Sequence, residues 1–187
     1  MVEPLSKRVA DLSWHVQLAL GGELIAEHAD LVRRLPSQLV FDHMGRPTLP
    51  AGTEHSSFAV MRGLIDKGRT WIKLSGAYSN SKSGPPAYPE TAKMAQAFVK
   101  AAPERMVWGS DWPHPGVQNN SPLPNDAALF DLLAVWAQRS DAPADSSREP
   151  GNPLRLCQIC VRPLQPAWRK APRRAVKYAK SSVSRAP

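Results

Sequence analysis

The feature that most constrains this chain is a regular alternation of short apolar runs with amphipathic segments over residues 1–137. Strands are predicted at 14–20, 38–42, 70–75 and 106–109, each followed by a helical pattern. Strands that alternate with helices form parallel sheets with crossover helices, so the sequence predicts an α/β fold. The alternation fits a doubly wound sheet and a barrel equally well.

Beyond residue 137 the composition changes. The chain carries 24 Lys and Arg against 16 Asp and Glu. Residues 1–137 hold 13 of each sign, so the whole excess of +8 lies in residues 138–187. Proline and arginine dominate there without apolar periodicity, which predicts a largely disordered basic tail. The sequence thus divides into a domain at 1–137 and a tail at 138–187.

Several function classes fit the composition poorly. No apolar run is long enough to span a bilayer, and residues 1–14 lack the apolar core of a signal peptide, so a cytoplasmic protein without membrane contact is expected. Cys157 and Cys160 form a lone pair with no second pair to complete a zinc site. The tail has few aromatic residues beyond Trp168 and Tyr178, which argues against nucleic acid as a partner.

Polar residues follow three of the predicted strands at the point where each strand ends. They are Asp42 and His43, then Lys73, Ser75 and Tyr78, then Ser110, Asp111 and His114. In parallel α/β folds these loops share the face on which active sites lie, and a histidine beside a carboxylate there can bind a metal or move protons. Each residue also has a structural interpretation, because Asp and His commonly complete turns. His15 lies inside the first strand, where a core role and a site role are both open.

Four runs of this sequence resemble motifs of the amidohydrolase-related hydrolases. They are W-H-V-Q-L at 14–18, D-H-M-G-R-P at 42–47, W-I-K-L-S-G-A-Y at 71–78 and W-G-S-D-W-P-H-P at 108–115. They occur in the family's order, and the branch they resemble most contains the 2-pyrone-4,6-dicarboxylate lactonases. The resemblance implies a (β/α)8 TIM barrel, of which this chain would supply about four βα units, the second half.

The resemblance also implies roles for individual residues. Asp111 and His43 would be catalytic, with Asp111 as the general base in hydrolysis of a lactone or similar cyclic ester or amide. Arg46, Lys73, Tyr78 and His114 would contact a small-molecule substrate. A divalent metal, zinc or manganese, would be held by His15, His43 and Asp111 if one is bound at all; the lactonase branch works without one.

Three departures qualify the resemblance. The family's first-strand H-x-H motif has no counterpart here, Ser79 stands where the family often has Arg, and the N-P-x-R-L segment survives only at 152–156. A barrel takes about 250 residues. The expectation is therefore a truncated or frameshifted hydrolase with little activity by itself, or a non-catalytic fragment. Its exposed strand edges would favour self-association.

Overall fold

The computed structural model describes residues 2–117 and 122–137, which form one α/β unit. The predicted tail at 138–187, with both cysteines, lies outside the described residues. Six α-helices and four strands occur in the described ranges: α1 Val2–Asp11, β1 His15–Leu18, α2 Gly22–Glu27, α3 Ala29–Arg34, β2 Gln38–Phe41, α4 Ser56–Asp66, β3 Thr70–Leu74, α5 Pro89–Ala101, β4 Met106–Trp108 and α6 Asp126–Trp136. None of these helices is long and apolar enough to cross a membrane.

The four strands form one sheet in the order β1-β2-β3-β4, and every neighbouring pair is parallel, which confirms the parallel sheet predicted from the sequence. Leu18 pairs with Phe41, Phe41 with Ile72, and Leu74 with Trp108. Each strand therefore ends near its neighbours' ends, and the loops after the strands lie along a single edge. Among the described residues, β1 and β4 each have one strand neighbour, so self-association through their outer edges stays a prediction.

The helices cover one face of the sheet. Alternate residues of β3 are buried, namely Thr70, Ile72 and Leu74, whereas Trp71 and Lys73 are partly exposed. This alternation arises because successive strand side chains point to opposite faces. The buried set packs with apolar residues of α4, α5 and α6 into one core, which includes Phe41, Met61, Phe98, Met106 and Leu133.

The helix starts follow from local chemistry. The side chain of Asn125 accepts a hydrogen bond from the Ala128 N–H at 3.1 Å, which caps α6. His55 caps α4 in the same way through Ser57 N–H. Pro89 occupies the first turn of α5, where its missing N–H costs nothing.

One predicted helix is divided. The periodicity over 23–35 predicts a single helix, but the structure has α2 and α3 separated at His28, whose φ of −100° and ψ of 24° depart from helical values. Ile25 and Val32 are both buried on either side of this break. With the break at His28, α2 and α3 each place one apolar residue, Ile25 and Val32, in the core.

The inner strand β2 should contribute strongly to the free energy of unfolding. Phe41 is fully buried in the core, so Phe41→Ala should lower the free energy of unfolding by about 3–5 kcal/mol through lost burial and a residual cavity. Urea denaturation followed by circular dichroism measures the change. Leu12→Ala is the control, because Leu12 is 59% exposed and its loss should cost less than about 0.5 kcal/mol. Equal effects of the two substitutions would contradict the assigned core.

Candidate active site

The turn after β2 carries the first pair of site residues on an unusual backbone. His43, Met44 and Arg46 have φ values of 50°, 56° and 38°, in the left-handed region that costs non-glycine residues energy. The turn is held because Met44 is fully buried and the Gly22 N–H donates to the Arg46 carbonyl oxygen at 3.2 Å. The backbone therefore fixes His43 at the end of β2.

The loop after β4 has a similar backbone. Asp111 and His114 have φ values of 66° and 61°, and the His114 N–H donates to the Asp111 carbonyl oxygen at 2.6 Å. The Trp112 N–H donates to Ser110 Oγ at 3.2 Å. These bonds close a tight turn that directs Asp111 toward the neighbouring strand ends.

His43 and Asp111 meet at this edge of the sheet. His43 Nε2 lies 3.6 Å from Asp111 Oδ1, and their side chains are 13% and 19% exposed. His43 Nδ1 lies 2.8 Å from Ser75 Oγ, which fixes the other side of the ring. An imidazole and a carboxylate shielded from most of the solvent can hold or move a proton between them.

Tyr78 completes the arrangement from the end of β3. Its hydroxyl donates to Asp111 Oδ2 at 2.6 Å, so both oxygens of the carboxylate have polar neighbours. Burial raises the pKa of Tyr78, and the hydrogen bond to Asp111 and the charge of that carboxylate raise it further. Tyr78 therefore stays a neutral hydrogen-bond donor to Asp111.

Lys73 belongs to a second polar group on the same side of the sheet. Its Nζ lies 3.1 Å from Asp42 Oδ1, and the Gln17 amide donates to Asp42 Oδ2 at 2.6 Å. Asp42 is buried, so its charge requires these partners. A Cβ at Gly109 would lie 2.6 Å from Lys73 Cε, so the lysine side chain passes close to the backbone at this glycine. Lys73 thus already pairs with a carboxylate of this chain.

The other predicted site residues lie in different places. His114 is 4% exposed, and its Nε2 lies 3.0 Å from Asp126 Oδ1. Arg46 is exposed beside His43 in the same turn. The expected convergence of His15 with His43 and Asp111 is wrong. His15 is the first residue of β1 and pairs with Gln38, so it lies at the amino ends of the strands, about 10 Å along β1 from the carboxyl end at Leu18.

The side chains that meet at the ends of the strands can be tested against the predicted metal ion. A catalytic zinc ion takes three protein ligands. His43 and Asp111 provide two, His15 does not join them, and the described residues contain no group of three or more His, Cys, Asp or Glu side chains suited to a metal ion. The residues described here therefore do not fit a zinc or manganese centre, and no step of the chemistry is derived through one.

Two contributors were missed by the sequence analysis. Gln17 was assigned only to a strand, and its position on the same face as Lys73 follows from the alternation of strand side chains. Asp126 is the first residue of α6, a place where acidic residues are common because of the helix dipole, so its sequence position alone indicates a structural role. No sequence signal tied it to His114, since that contact depends on the path of the loop.

Comparison with known proteins supports the motif assignments. The family model described as amidohydrolase matches residues 1–150. The D-galactarolactone isomerase of Agrobacterium fabrum is 31% identical over 135 residues, which are 72% of this chain and 46% of the relative. A 2-pyrone-4,6-dicarboxylate hydrolase of Comamonas testosteroni is 31% identical over 160 residues, 81% of this chain and 51% of the relative.

A solved structure shows the same relationship. An apo crystal structure of an Agrobacterium tumefaciens protein superposes with a TM-score of 0.63 at 31% identity, covering 72% of this chain and 47% of that one. The chain spans about half the length of the curated relatives it matches. The family match at residues 1–150 therefore includes the whole described α/β unit, with Asp111, His43 and Tyr78.

The hydrogen bond between Tyr78 and Asp111 predicts how the pKa of Tyr78 changes when Asp111 is replaced. Asp111→Asn should lower the pKa of Tyr78, because the carboxylate that favours the neutral phenol is removed. The pKa should stay above its ordinary value, since burial, the larger cause, remains. Phenolate absorbance in the ultraviolet measures the titration, and Tyr78→Phe identifies the signal. An unchanged Tyr78 titration in Asp111→Asn would show that the bond is absent.

The glycine after β3 makes a second prediction. Gly76 has φ +61°, and a Cβ there would lie 2.8 Å from His43 Nδ1. Gly76→Ala should destabilise the chain and displace His43 from Ser75, as seen in the NMR signals of His43. Gly84→Ala is matched in backbone cost, since Gly84 has φ +69° with open space around it. It should lose about 1–2 kcal/mol of stability without moving His43.

Proposed function

Because the chain belongs to the amidohydrolase family, we propose that it acts on a lactone or a similar cyclic ester or amide, with Asp111 as the general base. The observation that carries the proposal is the contact of Asp111 with both His43 and Tyr78. A carboxylate with this support is oriented before substrate arrives, which is what proton transfer to a positioned base requires.

The proposed reaction begins at the lactone carbonyl. Asp111 takes a proton from the water that attacks the carbonyl carbon, and His43 donates a hydrogen bond from Nε2 to the carbonyl oxygen as its negative charge grows. The tetrahedral intermediate then collapses, the ring C–O bond breaks, and the leaving oxygen takes the proton held by Asp111. Ser75 beside Nδ1 keeps the His43 ring in place. Donors aimed at a developing oxyanion contribute most when they are fixed in advance.

Arg46 is proposed to bind a carboxylate of the substrate. It is exposed in the same turn as His43, and a guanidinium matches a carboxylate through two parallel hydrogen bonds. Lys73 is a weaker candidate because Asp42 already neutralises it. Tyr78 and His114 are proposed to act on the base and on the packing around it, although direct substrate contact by either stays a prediction.

The four βα units are proposed to correspond to the second half of a (β/α)8 barrel. Their parallel order and the length of the relatives support this proposal. A complete site on that fold takes residues from the ends of several strands around the whole barrel. The 187-residue chain alone is therefore expected to turn over little lactone, and the missing donors would come from the other four units.

The relatives carry the names of two different enzymes, a lactone isomerase and a hydrolase. Isomerisation and hydrolysis therefore have to be distinguished for this chain. Hydrolysis of a lactone produces a carboxylic acid and releases a proton near neutral pH, whereas isomerisation releases none. We favour hydrolysis on the similarity of the motifs at 42–47 and 108–115 to the lactonase branch. Proton release followed with a pH indicator distinguishes the two reactions.

The activity is tested in a fusion that joins the first half of the Comamonas relative to this chain. The fusion should hydrolyse a dicarboxylated lactone, and Asp111→Asn should lower kcat about 10²–10⁴-fold by removing the base. Asp131→Asn, an exposed change on α6, is the control and should leave kcat unchanged.

Three results would count against the proposal. Full activity of Asp111→Asn in the fusion would remove Asp111 as the base. Rapid, Asp111-dependent hydrolysis by the 187-residue chain alone would contradict the need for the other barrel half. Turnover without proton release would replace hydrolysis by isomerisation.

A further inference from the structure

A buried imidazole next to the site takes no direct part in the proton transfers of the proposed reaction. His114 is 4% exposed, and its Nε2 lies 3.0 Å from Asp126 Oδ1. Its Nδ1 is buried and forms no hydrogen bond with any of the described residues. Asp126 Oδ1 is also buried without a hydrogen bond among the described residues, so the two groups meet as a close polar contact. In a neutral ring, a proton on Nε2 would face this oxygen, whereas a proton on Nδ1 would leave a buried donor unpaired.

The imidazole also contacts the residue that holds the base. The rings of His114 and Tyr78 meet edge to face, with centroids 5.6 Å apart and planes at 79°. The hydroxyl of that same tyrosine donates to Asp111 Oδ2 at 2.6 Å. A continuous series of contacts therefore runs from Asp126 through His114 and Tyr78 to Asp111.

We propose that Asp126 is a positioning residue for Asp111. It holds the His114 ring from the start of α6, the ring fixes Tyr78, and Tyr78 orients the carboxylate so that Oδ1 remains toward His43. We call Asp126, His114 and Tyr78 the Asp111 support. The proposal rests on the function proposed for Asp111, but its geometry is measurable without any turnover.

A simpler role for Asp126 is stabilisation of α6 through the helix dipole, since it is the first residue of that helix. The position of its carboxylate distinguishes the two roles. The side chain as a whole is 44% exposed, yet Oδ1 is buried against His114. A carboxylate that served only the dipole would have no reason to place this oxygen out of solvent.

The experiment uses the full 187-residue chain, labelled with ¹⁵N-histidine, under conditions in which His114 is neutral. The two nitrogen shifts report the tautomer, and the proton should occupy Nε2 in roughly tenfold or greater excess. The second signal is the Tyr78 hydroxyl proton, assigned by its loss in Tyr78→Phe. In the wild-type chain it should exchange slowly with water because Asp111 accepts it.

Asp126→Ala removes the acceptor that faces Nε2 and leaves both ring nitrogens of His114 without a partner, so the tautomer preference should be lost. Exchange of the Tyr78 hydroxyl should then speed up roughly fivefold or more, since each step of the Asp111 support depends on the one before. Asp126→Glu keeps the charge and should restore both signals in part. Asp131→Asn, on the same helix but exposed, should leave both unchanged. A role limited to the helix dipole would change neither signal.

The proposal is overturned by a wild-type ring protonated on Nδ1, or by an Asp126→Ala chain that keeps the tautomer and the slow hydroxyl. If circular dichroism shows that Asp126→Ala does not fold, the wild-type tautomer and hydroxyl exchange decide the question alone. Both signals intact in a chain whose fusion hydrolyses no lactone would overturn the proposed function and leave the Asp111 support standing.

Discussion

Parallel pairing of the four strands in chain order determines where every polar group of the site lies. Because neighbouring strands run in the same direction, their carboxyl ends and the loops that follow share one edge of the sheet. His43 follows β2, Tyr78 follows β3 and Asp111 follows β4. Sixty-eight positions separate His43 from Asp111 in the sequence, yet their side chains lie 3.6 Å apart. An antiparallel order would have put alternate loops at opposite edges.

The backbone at this edge is held in costly conformations. His43, Arg46, Asp111 and His114 all have positive φ, a region that non-glycine residues occupy only when their surroundings fix them. The surroundings here are specific: Gly45 approaches Met61 so closely that a Cβ would lie 2.7 Å from its sulfur, and Gly76 leaves the same kind of space for His43. Non-glycine residues with positive φ are concentrated in the two loops that carry Asp111 and His43. This concentration supports the proposal that these loops form the active site.

The positions of the strands and of the loops at their ends could be predicted from the sequence, because hydrophobic periodicity is a local signal. Parallel pairing then makes strands that follow one another in the chain neighbours in the sheet. Sequence reasoning placed His43 and Asp111 together for the same reason. It failed for His15, since a position within a strand depends on where pairing begins, and His15 proved to be the first residue of β1. The pairing of Lys73 with Asp42 and of His114 with Asp126 also escaped it, because side-chain partners across the sheet and across a loop leave no trace in spacing.

The distribution of charge around Asp111 argues for a particular kind of substrate recognition. Asp42 and Lys73 neutralise each other at 3.1 Å, so that pair presents little net charge to a ligand. Asp111 then remains as a carboxylate that would repel an anionic lactone at close range, and Tyr78 and His43 offset it only through hydrogen-bond donors and a ring. Arg46 lies in the same turn as His43 and is exposed, so its guanidinium is the group of this turn able to attract a substrate carboxylate. A substrate bound through Arg46 would reach Asp111 with its own charge already matched, and its carbonyl, rather than its carboxylate, would face the base.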